Sequence, residues 1–219
     1  MSLQGRIQQV RNRLQQACRA AGRPLEDVEL LPVSKRQPES LIREAMALGF
    51  TRFGENYVQE AMAKAPALPG VELVLIGPLQ SNKAKAALQT FTEIQSVDRL
   101  DLARRLDRLA GELNVVRPVW IQVDLWGEAT KLGGCPREDL PALMEYLAGS
   151  TRLPLRGLMA IPPPAVPQVF RELADLRTGW EGRLHRRLKL SMGMSDDLEA
   201  AVAAGSDQIR IGTAFFGSR

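Results

Sequence analysis

Eight short runs of β-type residues, each followed by a stretch of helical periodicity, constrain this chain more than any other feature. The β-type runs fall at 29–34, 52–54, 73–76, 93–96, 119–123, 155–159, 188–191 and 208–211. Helix-type runs fill the intervals near 39–48, 57–65, 82–89, 99–113, 137–147, 166–177 and 196–204. In the fourth of these Leu102, Leu106, Leu109 and Leu113 recur on one face, behind an Asp98 placed to cap it. Gly49 and Gly205 follow the first and last, where a left-handed stop belongs. A further amphipathic helix comes first: Ile7, Val10, Leu14, Ala17 and Ala21 recur every three or four residues, ended by Gly22 and Pro24. Regular alternation of strand and helix implies an α/β fold with a parallel sheet. Eight units closing on themselves make a (β/α)8 TIM barrel. An open doubly wound sheet is the second choice, because no Gly-rich first turn is present. Nothing in the composition divides the chain, so 1–219 reads as one domain.

Several function classes drop out. No 18-residue apolar run exists, so no membrane span is expected. Met1 to Arg23 carries Arg and Gln throughout and lacks an apolar signal core. Cys18 and Cys135 lack metal spacing and read as reduced thiols, which points to the cytoplasm. A net charge of +4 raises the question of nucleic acid, but aromatics are 5% and do not interleave with the one dense basic run, Arg183, Arg186, Arg187 and Lys189. That run reads as a solvated helix face or a local anion patch. No P-loop, HExxH or CxxC pattern occurs. The only histidine, His185, lies away from any strand end and reads as exposed, so no Ser-His-Asp system is available.

In a barrel the C-terminal ends of the strands converge on one mouth, where ligands bind. Those ends read Lys35; Gly54-Glu55-Asn56; Gly77 to Lys83; Ser96-Val97-Asp98; Asp124 with Glu128 and Lys131; Met159-Ala160; Ser191 to Ser195; and Arg210 to Thr213. Lys35 closes the first β-type run, and a partly desolvated lysine there can lose its proton and attack a carbonyl. After the seventh and eighth strands, Ser191, Gly193, Gly212 and Thr213 offer hydroxyls and closely approachable backbone N–H groups, the recurrent phosphate cradle of such barrels. Ser195 is also placed to cap the helix that follows. An imine-forming lysine opposite a phosphate site fits pyridoxal 5′-phosphate. An aldolase-type barrel acting on a phosphosugar needs the same two features.

Six blocks, in order, resemble the pyridoxal phosphate homeostasis protein family over nearly the whole chain. They are Pro32-Val33-Ser34-Lys35, Phe53 to Glu60 (FGENYVQE), Ile76 to Lys83 (IGPLQSNK), Gly157 to Pro162 (GLMAIP), Leu190 to Asp197 (LSMGMSDD) and Ile209 to Thr213 (IRIGT). The resemblance implies a barrel related to the N-terminal domain of alanine racemase, preceded by an extra helix. It implies that Lys35 holds the cofactor covalently as an internal aldimine. It further implies that Ser191, Gly212 and Thr213 bind the phosphate, that Arg210 faces the pyridine nitrogen, and that Asn56 lies beside the ring and Met192 near the phosphate loop. Two departures stand out. Leu73-Val74-Leu75 replaces the family's frequent Trp-His-Phe, and Gln122-Val123-Asp124 its Gln-Val-Asn.

An arginine at the pyridine nitrogen can only donate, so the nitrogen stays unprotonated and the ring is a weak electron sink. Racemases tolerate that arrangement but take a second base, a tyrosine, from a further C-terminal domain, and this chain ends directly after the eighth strand. Tyr57 and Tyr146 both lie in helix-type runs. The implied function is therefore intracellular vitamin B6 homeostasis: binding, buffering and delivering the cofactor without catalysis, as a monomer, with apo pyridoxal phosphate enzymes as acceptors. The alternatives are a weak amino-acid enzyme such as a racemase, and a basic barrel binding another phosphorylated partner through 183–189.

Overall fold

A computed structural model describes residues 1–125, 133–162 and 168–217. Glu128, Lys131 and most of the proline-rich loop 161–167 lie outside the described residues.

Helix α1 (Leu3–Ala20) opens the chain. Strand and helix then alternate: β1 (Glu29–Pro32), α2 (Glu39–Ala47), β2 (Arg52–Glu55), α3 (Val58–Lys64), β3 (Glu72–Leu75), α4 (Ala84–Thr90), β4 (Glu93–Val97) and α5 (Leu100–Leu113). They continue through β5 (Val119–Gln122), α6 (Leu140–Gly149), β6 (Leu155–Met159), α7 (Gln168–Leu184), β7 (Lys189–Ser191), α8 (Leu198–Ala203), β8 (Gln208–Ile211) and α9 (Thr213–Phe216). All eight strands are parallel, in the order β1-β8-β7-β6-β5-β4-β3-β2. A single bridge between Val33 and Gly54 joins β1 to β2, so the barrel is nearly closed. The expected barrel is present, and the open doubly wound sheet is not.

Period-two alternation sorts the strand residues. Leu73, Leu75, Ile94, Ile121, Leu158, Leu190, Ile209 and Ile211 join the main apolar core, which the helices share. Leu31, Val33, Val74 and Ile76 form a separate buried cluster on the other face of the first and third strands, inside the barrel. Gly54 makes room for it: a Cβ there would sit 3.1 Å from Ile76 Cδ1 and 3.4 Å from Leu31 Cδ2. Val74 therefore extends an apolar patch of the lumen.

Helix α1 buries Leu3, Ile7, Val10, Leu14, Ala17 and Cys18 against α8 and α9. Arg13 forks onto Glu199 at 3.0 and 2.9 Å and donates from Nη1 to the Ser195 carbonyl at 2.9 Å. Arg6 Nε donates to the Phe215 carbonyl at 3.0 Å. The extra helix thus braces both loops that follow the last two strands.

Two expected caps are not formed. The residue at the start of α5 is Arg99, and Asp98 pairs with its guanidinium at 2.6 Å instead of with backbone N–H groups. Ser195 does not cap α8 either. The boundary residue is Asp197, whose Oδ1 accepts from Met194 N–H at 2.5 Å and so closes the preceding loop. In both places the acidic side chain finds a partner in the loop before the helix. Helix α7 also runs to Leu184, well past the expected 177.

Candidate functional site

The strand β1 ends at Pro32, where its register with Ile211 of β8 stops. Lys35 is therefore not the last strand residue but sits three positions on, half-buried, in a turn. Val33 N–H still reaches the Ile211 carbonyl at 2.8 Å and Ser34 N–H the Gly54 carbonyl at 2.9 Å. The turn closes with Gln37 N–H on the Ser34 carbonyl at 3.0 Å, and Arg36 takes φ +58. Beneath the turn lies a buried charge cluster. Lys64 Nζ donates to the Ser34 carbonyl at 2.9 Å, to Glu55 Oε1 at 3.1 Å and to Glu60 Oε1 at 2.6 Å. Ser34 Oγ donates to the same Glu55 oxygen at 2.7 Å, and Arg36 N–H donates to Glu60. Glu55 is wholly buried, and this burial pushes its carboxyl above the usual range despite the lysine.

On the neighbouring strand, where it pairs with Leu31 of β1, Arg210 of β8 is 3% exposed. Its Nη1 donates to the Ser191 carbonyl at 2.6 Å and to Ser191 Oγ at 2.8 Å, and its Nη2 to the Ala160 carbonyl at 2.7 Å. Desolvation lowers its pKa to about 10, which still leaves it charged at neutral pH. A cation buried so deeply needs partners, and the lumen supplies a polar column beneath it. Ser191 Oγ lies 2.8 Å from Gln95 Oε1 and 2.9 Å from Gln208 Oε1, with one proton to serve either. Gln95 Nε2 donates to Gln208 at 2.7 Å and to Glu93 at 2.7 Å, and Gln208 Nε2 donates to Glu29 at 2.9 Å. Arg52 ends the column, 2.7 Å from Glu29, 3.2 Å from Glu72 and 3.2 Å from Glu93. One hydrogen-bonded network thus runs through the barrel, from the entry to β2 up to the exit of β8.

The remaining expected site residues border this mouth. Gly193, at φ +93, carries its N–Cα–C unit against α8: a Cβ would meet Ala201 Cβ at 2.4 Å. Its carbonyl accepts from Arg210 N–H at 3.0 Å. Met192 has its side chain wholly in the apolar core, so only its backbone can border a ligand. Gly212 and the exposed Thr213 start α9, and Gly212 approaches Val33, the residue two before Lys35, with an added Cβ 3.8 Å away. Asn56 leaves β2 with its Oδ1 buried and without a hydrogen-bond partner. Gly77 backs onto it so closely that a Cβ would lie 2.3 Å from the Asn56 carbonyl oxygen.

The register joins two groups of expected residues: β1 and β8 lie side by side, which sets the Lys35 turn beside Gly212, and β7 and β8 bring Ser191, Gly193 and Arg210 together. Ser191 differs from expectation, since its hydroxyl points into the lumen column. Lys64, Gln95 and Gln208 escaped the sequence reading. Gln95 and Gln208 carried a signal, being polar residues inside strands, in β4 and β8. Lys64 carried none, because a lysine on a helix normally reads as solvated.

This constellation defines a class: a parallel barrel whose mouth carries a turn lysine, a buried arginine and glycine-lined loops after its last two strands. Residues 6–219 match the model of the alanine racemase N-terminal domain family. Among curated proteins, a pyridoxal phosphate homeostasis protein of Pseudomonas aeruginosa is 46% identical over 97% of this chain and 94% of its own length. Its Escherichia coli counterpart is 42% identical over 97% and 95%. The chain belongs to the pyridoxal phosphate homeostasis protein family. Among solved structures, PipY of Synechococcus elongatus with PLP bound superposes with a TM-score of 0.87 at 38% identity, over 99% of this chain and all of that one. Alanine racemase of Clostridium difficile gives a TM-score of 0.73 at 12% identity, over 95% of this chain and 56% of the racemase, a likeness of fold alone.

Proposed function

We propose that this chain holds pyridoxal 5′-phosphate at the C-terminal mouth of its barrel and serves vitamin B6 homeostasis by binding, buffering and delivering it, without turning over a substrate. The observation that carries this reading is Arg210, buried and charged between Ser191 and Ala160 at the mouth. The orphaned Asn56 Oδ1 and the glycine cradle at Gly193 and Gly212 fit a ligand there. When bound, the cofactor supplies an aldehyde and an electron-withdrawing ring. Lys35 would hold the cofactor at that aldehyde. Arg210 would face the ring nitrogen as a donor and, having no proton to lose at neutral pH, would leave that nitrogen unprotonated. Backbone N–H groups at Gly193 and Gly212 and the Thr213 hydroxyl hold the phosphate, and Asn56 stands beside the ring. Ser191 joins them if its hydroxyl turns away from Gln95 and Gln208.

The names of the relatives and the PLP-bound neighbour support this reading. The fates of the two tyrosines do as well. Tyr146 donates its hydroxyl to Asp107 at 3.0 Å in the outer helical layer. Tyr57 stands exposed with its hydroxyl 3.4 Å from Arg36 Nη2, beside a cation and not beside a base. Acceptors on this reading are apo-enzymes that use the same cofactor. The test is a near-visible imine band on adding the cofactor, removed by Lys35→Ala, followed by exposure to L- and D-amino acids. Product formation at ordinary enzymatic rates would sink the carrier reading in favour of a racemase-like enzyme.

A further inference from the structure

Two residues of the dense basic run, Arg186 and Arg187, border an open cavity. Arg177 and Glu181 from α7, with His185, Arg186 and Arg187 from the connection to β7, line a space of about 480 Å³. It lies where the chain enters β7, at the end of the barrel opposite the mouth.

The two carboxylates facing these cations are held elsewhere. Glu181 Oε1 accepts from Leu188 N–H at 2.8 Å, and its Oε2 stands 4.0 Å from Arg177 Nε. Asp207 Oδ2 accepts from Leu190 N–H at 2.7 Å. Arg23, Arg177 and Arg187 surround Asp207 at 3.9, 3.7 and 3.9 Å, all beyond hydrogen-bond distance. Arg23 instead donates to the Val202 and Ser206 carbonyls. Three donors are left: Nε and Nη2 of Arg186 and Nε of Arg177 are shielded from solvent and have no hydrogen-bond partner. The dipole of α7 accounts for cations near its C-terminus. It does not supply acceptors for these N–H groups, and buried donors in folded proteins are nearly always paired. The planar fork of a guanidinium matches the oxygens of a phosphate.

We infer that this cavity is a second, separate anion site, which takes a phosphate ion or the phosphate group of a small monoester, with Arg186 as principal donor and Arg177 and Arg187 beside it. The site is independent of the mouth and of whatever the mouth binds.

Calorimetric titration of inorganic phosphate into protein loaded with pyridoxal phosphate and then freed of excess cofactor reads this cavity with the mouth filled; the imine band reports the mouth separately. One saturable phosphate per chain is expected, weakened about tenfold or more in Arg186→Gln, as loss of charge-assisted bonds implies, with the imine band unchanged. Pyridoxine 5′-phosphate, which has no aldehyde, separates the sources: tighter binding than inorganic phosphate assigns a monoester, equal or weaker binding the free ion. Arg187→Gln, at an exposed position, is the second variant should Arg186→Gln fold poorly, and it too should weaken phosphate binding. Absence of saturable binding to the unaltered protein, or equal affinity in the folded variants, overturns the inference.

Discussion

Lys64 Nζ lies 2.9 Å from the carbonyl oxygen of Ser34, the residue immediately before Lys35. A buried cation on α3 thereby clamps the turn that carries the proposed cofactor lysine. Its other two partners, Glu55 and Glu60, come from the same FGENYVQE block.

Removing that cation leaves Glu55 buried and its charge uncompensated. Lys64→Met should lower the unfolding free energy by about 3 kcal/mol, read by urea denaturation, and should weaken the imine band as the turn loosens. The double variant Lys64→Met, Glu55→Gln should recover a large part of the loss. Equal stability of Lys64→Met and the unaltered protein would refute the clamp.

The pH dependence follows from Glu55 and Glu93, both raised above their ordinary value of 4.5 chiefly by burial. Each folded-state carboxyl holds its proton more tightly than the unfolded one. Their contribution to stability is therefore fully present below 4.5 and is lost as pH rises through the raised values. Replacing Glu55 by Gln should flatten the corresponding fall of melting temperature with rising pH. A slope identical to that of the unaltered protein would count against a raised Glu55.

The two cradle glycines should respond differently to alanine. At Gly193 a Cβ meets Ala201 at 2.4 Å and the backbone is left-handed, so Gly193→Ala should cost about 2 kcal/mol. At Gly212 the nearest atom is 3.8 Å away and φ is −103, so Gly212→Ala should change stability by less than about 0.5 kcal/mol. Cofactor affinity should nevertheless fall in Gly212→Ala if a phosphate approaches that backbone. Chemical denaturation and a cofactor titration separate the two effects.

Gln95 joins Glu93, Gln208 and Ser191 inside the barrel. Gln95→Leu should destabilise the fold by about 2 kcal/mol, because buried acceptors on Glu93 and Gln208 lose a donor and the Ser191 hydroxyl loses an acceptor. It should also loosen Arg210, which bonds to Ser191. A cofactor affinity that drops further than the stability loss explains would show the column positioning the arginine. Unaltered affinity would leave the column a purely structural feature.

Much of the architecture was legible because it depends on local periodicity. Leu102, Leu106 and Leu109 mark one face of α5 whatever that face packs against, and all three are buried there. Lys35, Asn56 and Arg210, each near the end of a strand or within three residues past it, could be picked out in the same way, since leaving a strand changes residue chemistry abruptly. The caps at Asp98 and Ser195 misled, because a carboxylate or hydroxyl has several donors within a few residues and only the settled loop chooses among them. Helix α9 passed unnoticed, being only four residues long.

By itself the sequence determined the order of strands and helices, the barrel that order favours, and which residues stand at strand ends, because these follow from spacing along the chain. Only the tertiary structure decided that Lys64 of α3 holds the turn before Lys35 and that the Ser191 hydroxyl turns inward. It likewise decided that Arg210 tops a column reaching Arg52 at the far end of the barrel. Those facts depend on burial between strands and helices distant in sequence. Burial sets both the cost of leaving a charge unpaired and the set of partners within reach.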